Sequence, residues 1–188
     1  MEKEFFKILA EAEAKAHNVP VDQVHFHEVG AVDSIVDILS VAICMDDLDV
    51  EEVIVPRLCE GSGTIRCQHG ILPVPVPAVS NIVSAHQLKL HITSVQGELI
   101  TPTGAAIVAA FLTSEKLPED FTVRKIGIGA GKRQYECPGI LRAMLIRESE
   151  EEASGNDTCT ETDTIIKLES NIDDCTGETL GLCYGASV

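Results

Sequence analysis

Phe5, Ile8, Leu9 and Ala12 recur at helical spacing among charged residues, which predicts an amphipathic helix over residues 4–15, ended by Asn18-Val19-Pro20. A second helix is predicted over residues 32–45. There Val32, Ile35, Val36, Leu39 and Ile43 follow the i, i+3, i+4, i+7 pattern of a buried stripe, and Asp33, Asp37, Ser40 and Cys44 form a more polar one. Residues 52–58 read as a buried strand, Gly61-Ser62-Gly63 as a turn, and residues 64–67 as a strand pairing back in a hairpin. Leu72-Pro73-Val74-Pro75-Val76-Pro77 cannot be a central strand, because each proline lacks a ladder donor. It reads as an extended lead into a helix over residues 78–87, with Pro77 acceptable in the first turn.

Residues 88–95 alternate as a strand does. Residues 101–112 form a helix with Thr101 as N-cap and Pro102 at its first position. Residues 121–128 and 139–147 are two further strands around a glycine-rich turn. Helices and strands interleave, so the expected class is α/β or α+β, a mixed sheet with helices packed on it. Residues 148–163 are acidic, without Lys or Arg and with almost nothing to bury, which predicts a flexible linker. A strand resumes over residues 164–168. The expected organisation is therefore a core domain over residues 1–147, the acidic linker, and the start of a C-terminal domain over residues 164–188.

Composition narrows the functional classes. Apolar residues make up 45% of the 188 and aromatics only 4%, without Trp, so Val, Ile, Leu and Ala must build the core. Thirty Asp and Glu against 14 Lys and Arg give a formal charge of -16, which repels phosphate backbones and argues against nucleic-acid binding. No apolar run approaches the roughly 18 residues of a membrane span, and no signal peptide is visible, so a cytoplasmic protein is expected. The 7 Cys are odd in number and contain no Cys-x-x-Cys, which fits free thiols in a reducing compartment and argues against a zinc ribbon.

Several stretches could carry chemistry. His25-Phe26-His27-Glu28 offers two imidazoles and a carboxylate, and an extended backbone would put His25 and His27 on one face. Asp33 and Asp37, one helical turn apart, could complete a shell for divalent nickel, zinc, cobalt or manganese. The same residues could instead be structural histidines with an acidic first turn that complements the helix dipole. Asp37, mid-helix among apolar neighbours, has no such local explanation. The helix start at Thr101, Thr103 and Gly104 could hold a phosphate on its free N–H groups, or could simply be a capped helix. Lys132 and Arg133 follow the run Gly127-Ile128-Gly129-Ala130-Gly131, which lacks nucleotide-loop spacing and reads as a turn between strands. Cys67-Gln68-His69-Gly70 pairs a thiol with an imidazole beside a turn. Asn171-Ile172-Asp173-Asp174 with Glu178 gathers carboxylates that could hold a hard cation. No catalytic residue is assigned.

HFHEVGAVDSIVD from His25, GILPVPVP from Gly70, GELITPTGAA from Gly97, GIGAG from Gly127 and NIDDCTGE from Asn171 occur in this order. Together they resemble the nickel-insertion proteins of the lactate racemase cofactor pathway. The resemblance implies insertion of Ni2+ into pyridinium-3,5-bisthiocarboxylic acid mononucleotide to form a nickel-pincer complex. It also implies CTP hydrolysis with Mn2+ or Mg2+ in a C-terminal CTP-binding domain. His25, His27, Glu28, Asp33 and Asp37 are then the candidate nickel ligands, and Thr101, Thr103, Gly104 and Lys132 the candidate phosphate contacts. A homo-oligomer is the expected assembly. The alternative role is a non-catalytic scaffold that presents the cofactor to the CTP-binding domain.

Family members usually open with a Cys-Phe-Ser-Gly-Ile-Ser-Gly-Asp-Met segment and continue past Gly-Glu with Leu-Gly-Tyr-Val-Met-Glu-Arg-Leu. The ending from Gly181 to Val188 reads as that continuation in a shifted frame. A reading frame ending at Val188, with a frameshift completing the protein, is therefore expected, and turnover by this part alone is not.

Overall fold

The computed structural model describes residues 2–24, 32–67, 69–148 and 165–170. Helix α1 spans Glu2–His17, and its apolar stripe is buried as the spacing requires: Phe5, Ile8, Leu9 and Ala12 are each at most 5% exposed. A short 3-10 turn, Val21–Gln23, follows. Helix α2 spans Val32–Leu48, β1 spans Glu52–Ile54 and β2 spans Leu58–Ser62. The single strand expected over residues 52–58 is thus two, divided at Pro56, which cannot donate to a ladder.

Strand β3, Thr64–Cys67, pairs forward with β4, Gly70–Pro73, in an antiparallel hairpin, rather than back across the Gly61-Ser62-Gly63 segment. Ser62 remains in β2, and only Gly63, at φ +87°, turns the chain. Pro73 ends β4 at the rim of a two-stranded sheet, where a missing donor costs little. Helix α3 spans Pro77–Ala85 and β5 spans Leu90–Gln96, parallel to β2. Helix α4, Pro102–Phe111, starts where Thr101 and Pro102 place it.

Strands β6, Phe121–Ala130, and β7, Ile140–Glu148, are antiparallel neighbours. Gly127 and Gly129 lie within β6, and the connection runs through residues 131–139, so the glycine-rich turn falls later than expected. Strand β8, Ile165–Ser170, lies between β7 and β1 in the order β1-β8-β7-β6, antiparallel to β7 and parallel to β1. This mixed sheet therefore draws strands from both sides of the acidic 148–163 stretch. Helices together with one mixed, one parallel and one antiparallel sheet make the protein α/β.

The main core lies between α1, α3, α4 and the β1–β2 region. It contains Leu9, Val55, Leu58, Val79, Ile82, Ile100 and Ala105. Phe5 and Phe111 join α1 to α4 with ring centroids 5.2 Å apart, and Asn81 Nδ2 donates to the carbonyl of Ala12 at 3.0 Å to tie α3 to α1. Each fully buried Phe, Leu or Ile stabilises the fold by about 1.5–3 kcal/mol relative to exposure. These residues dominate its stability.

Helix α2 departs from expectation. Ile35, Val36, Leu39 and Ile43 are 37–67% exposed, whereas Ile38 is 1% exposed. The helix is apolar around most of its circumference, so the i, i+3, i+4 pattern fits two faces. The face carrying Ile38 and Met45 turns inward, and Met45 reaches the main core.

Candidate functional site

Strands β2 and β5 are parallel, so their carboxyl ends share an edge, and the loop after β5 leads directly into α4. In α/β sheets such an edge is where ligands bind. Here the edge is organised by one buried carboxylate. Glu60, fully buried in β2, accepts at Oε1 from the backbone N–H groups of Gly61 at 2.8 Å, Leu99 at 2.7 Å and Ile100 at 3.2 Å. Three donors on one oxygen supply the partners that a buried polar group requires. They also fix the backbone of the loop before α4.

The two strand ends approach closely enough to exclude any side chain at Gly61. A Cβ there would lie 1.8 Å from the carbonyl oxygen of Gly97. Gly97, at φ +118°, donates its N–H to the Ser62 carbonyl at 2.9 Å. The ladder shifts register between Glu60 and Ser62, so Gly61 sits in an irregularity that the close approach demands. The Ser62 hydroxyl donates to the Val95 carbonyl at 3.3 Å and accepts from Gln96 Nε2 at 3.0 Å.

The β6–β7 connection also contacts this loop. Tyr135 packs its ring against Gly97 and donates its hydroxyl to the Glu98 carbonyl at 2.6 Å. Arg133 Nη1 lies 3.4 Å from Glu98 Oε2, and Glu98 is 6% exposed. Thus residues 97–100, the start of GELITPTGAA, are held by Glu60, Arg133 and Tyr135.

Among the expected phosphate contacts, Thr101 accepts at Oγ1 from the Gly104 N–H at 3.2 Å, so this donor is committed to the cap. Thr103 is partly exposed in the first turn, Gly104 is buried, and Lys132 is exposed at the start of the β6–β7 connection. Arg133 rather than Lys132 makes the ion pair with the loop. Sequence reasoning missed Glu60 and Tyr135. The available signal was a glutamate inside the apolar run Leu58-Cys59-Glu60, followed at once by glycine.

The other candidates divide. Asp33 lies in the first turn of α2, and Asp37 is half-buried on the flank next to the inward face. His25, His27 and Glu28 lie outside the described residues, as do Asp173, Asp174 and Glu178. Among the described residues no group of three or more His, Cys, Asp or Glu is placed to hold a metal ion. Cys44, Cys59, Cys67 and Cys137 are in no disulfide among the described residues. Among the described residues no helix is long and apolar enough to cross a membrane.

Residues 1–186 match the family model described as "Nickel insertion protein". The chain belongs to that family. It is 50% identical over 188 residues to a protein of Alkaliphilus metalliredigens named pyridinium-3,5-bisthiocarboxylic acid mononucleotide nickel insertion protein, covering 96% of this chain and 44% of that protein. Proteins of the same name from Acetivibrio thermocellus and Clostridium acetobutylicum are 42% and 46% identical, over 96% and 94% of this chain and 43% and 40% of theirs. The chain therefore spans less than half the length of these curated relatives. No solved structure matches it.

Proposed function

We propose that this chain is the part of a nickel-insertion protein that takes up Ni2+ and delivers it to pyridinium-3,5-bisthiocarboxylic acid mononucleotide, giving the nickel-pincer cofactor. The observation that carries this reading is the family match along nearly the whole chain, with relatives named for that reaction.

In this reading nickel is a substrate. His25 and His27 hold it through neutral imidazoles, while Glu28, Asp33 and Asp37 offset its charge. Sulfur is a softer donor than imidazole or carboxylate, so thiocarboxylate sulfurs of the mononucleotide can draw the ion away from such a set. The mononucleotide phosphate lies near the start of α4, where Thr103 and Lys132 face solvent and the helix dipole favours an anion. Glu60, Arg133 and Tyr135 hold that loop in shape before substrate arrives, which lowers the ordering cost of binding. CTP hydrolysis with Mn2+ or Mg2+ belongs to the C-terminal CTP-binding domain of the longer proteins, which acts with this part.

Calorimetric titration with Ni2+ tests the ligand assignment. The native chain should show a binding event that a His25→Ala/His27→Ala variant lacks. Identical heats from the two proteins would remove these histidines from the nickel site and favour a scaffold role.

A further inference from the structure

Two histidines distant in sequence meet at the C-terminal end of α1. His17 is the last residue of the helix and His69 lies in the turn between β3 and β4. Their ring centroids are 4.9 Å apart with the planes tilted by 58°. One helical turn before His17, Glu13 brings Oε2 to 3.5 Å from His17 Nε2; the carboxylate side chain is 16% exposed and the His17 side chain 38%.

We infer that His17 and His69 form a second, bis-imidazole site for a divalent transition metal of the nickel type, with Glu13 as its positioning residue. The inference rests on this geometry and not on the ligand set proposed above. A metal–nitrogen bond of about 2.0–2.1 Å puts the ion roughly 3.2 Å from each imidazole centre, so two rings meeting at about 100° have centroids about 5 Å apart. The observed separation meets that requirement. A carboxylate beside one ring nitrogen leaves the other for the metal and orients the ring.

The electrostatic setting agrees. The carbonyl end of α1 is the negative pole of its dipole, and the chain's formal charge is -16. His17 remains accessible to an ion from solvent.

The pair supplies two ligands, and among the described residues no group of three or more His, Cys, Asp or Glu is placed to hold a metal ion. The remaining positions fall to water or to an incoming donor. A site held by two imidazoles exchanges its ion more readily than a closed one, which suits a station that receives and releases metal.

The test titrates Ni2+ alone into the full chain carrying His25→Ala/His27→Ala, which removes the other candidate histidines. This protein should still bind nickel. Adding His17→Ala or His69→Ala should weaken that binding at least tenfold, and adding Glu13→Gln about 10- to 100-fold, as loss of an orienting carboxylate does. Circular dichroism establishes that each variant is folded.

A measurement without further substitution accompanies it. At substoichiometric Ni2+ the His17 and His69 imidazole proton signals should broaden before those of His86 and His91. Unchanged nickel affinity in the folded His17 and His69 variants, or no selective broadening, overturns the inference. Either result leaves the assignment of His25 and His27 to be decided by its own titration.

Discussion

Glu60 Oε1 lies 2.7 Å from the backbone nitrogen of Leu99, across 39 positions of sequence. This contact joins the irregular end of β2 to the buried loop before α4 and fixes the shape of that loop. Glu60→Ala leaves three buried N–H groups without their acceptor and should destabilise the protein by about 3–5 kcal/mol. Glu60→Gln keeps one oxygen acceptor and should cost about 1–2 kcal/mol. Urea denaturation of both variants measures the difference; equal, small losses would contradict the role assigned to the carboxylate.

Gly61 and Gly70 separate close approach from backbone conformation. Gly61→Ala drives a methyl group into the Gly97 carbonyl and should cost about 3 kcal/mol or more, or prevent soluble expression. Gly70→Ala meets nothing within 4 Å but sits at φ +99°, so it should cost only about 1–2 kcal/mol. Thermal melting of the two variants should rank them in that order.

The orientation of α2 can be read from two isoleucines. Ile38→Ala empties a buried position and should cost about 2–4 kcal/mol. Ile43→Ala removes a side chain that is 67% exposed and should change stability by no more than about 0.5 kcal/mol. Reversal of these values would restore the stripe that the sequence pattern favoured.

Those isoleucines also mark where sequence reasoning stopped. Helix α1 was legible because its apolar positions occupy one face and charges occupy the rest, so Phe5 to Ala12 admit one orientation. Helix α2 has apolar residues on almost every side, and only tertiary packing chooses Ile38 over Ile43. The start of α4 was legible because Thr101 and Pro102 act locally.

The Glu60 network was hidden for the opposite reason. Its donors lie at residues 61, 99 and 100, and nothing within a local window links them. Likewise, the meeting of His17 with His69 depends on where the β3–β4 hairpin docks. The motif GELITPTGAA is one of the five ordered stretches that together resemble the family, but the residues that hold its first part in place, Glu60, Arg133 and Tyr135, come from other parts of the chain.

The cap of α4 gives a finer test. Thr101→Ala should destabilise by about 1 kcal/mol and Thr101→Ser by only a few tenths, because Ser retains the oxygen that accepts from Gly104. Chemical denaturation resolves this difference. If Thr101 contacts the mononucleotide phosphate as well, Thr101→Ala will also weaken substrate binding beyond what the stability loss explains.

The central claim is that this part of the protein carries nickel to the mononucleotide. The most direct measurement supplies the chain together with the family's CTP-binding portion, CTP, Mn2+, Ni2+ and pyridinium-3,5-bisthiocarboxylic acid mononucleotide, and follows the nickel-containing product by mass spectrometry. The account predicts product with the native chain and at least a tenfold lower rate with folded His25→Ala/His27→Ala and Asp37→Asn variants. Product forming at the native rate with those variants, or equally well without this chain, would contradict it.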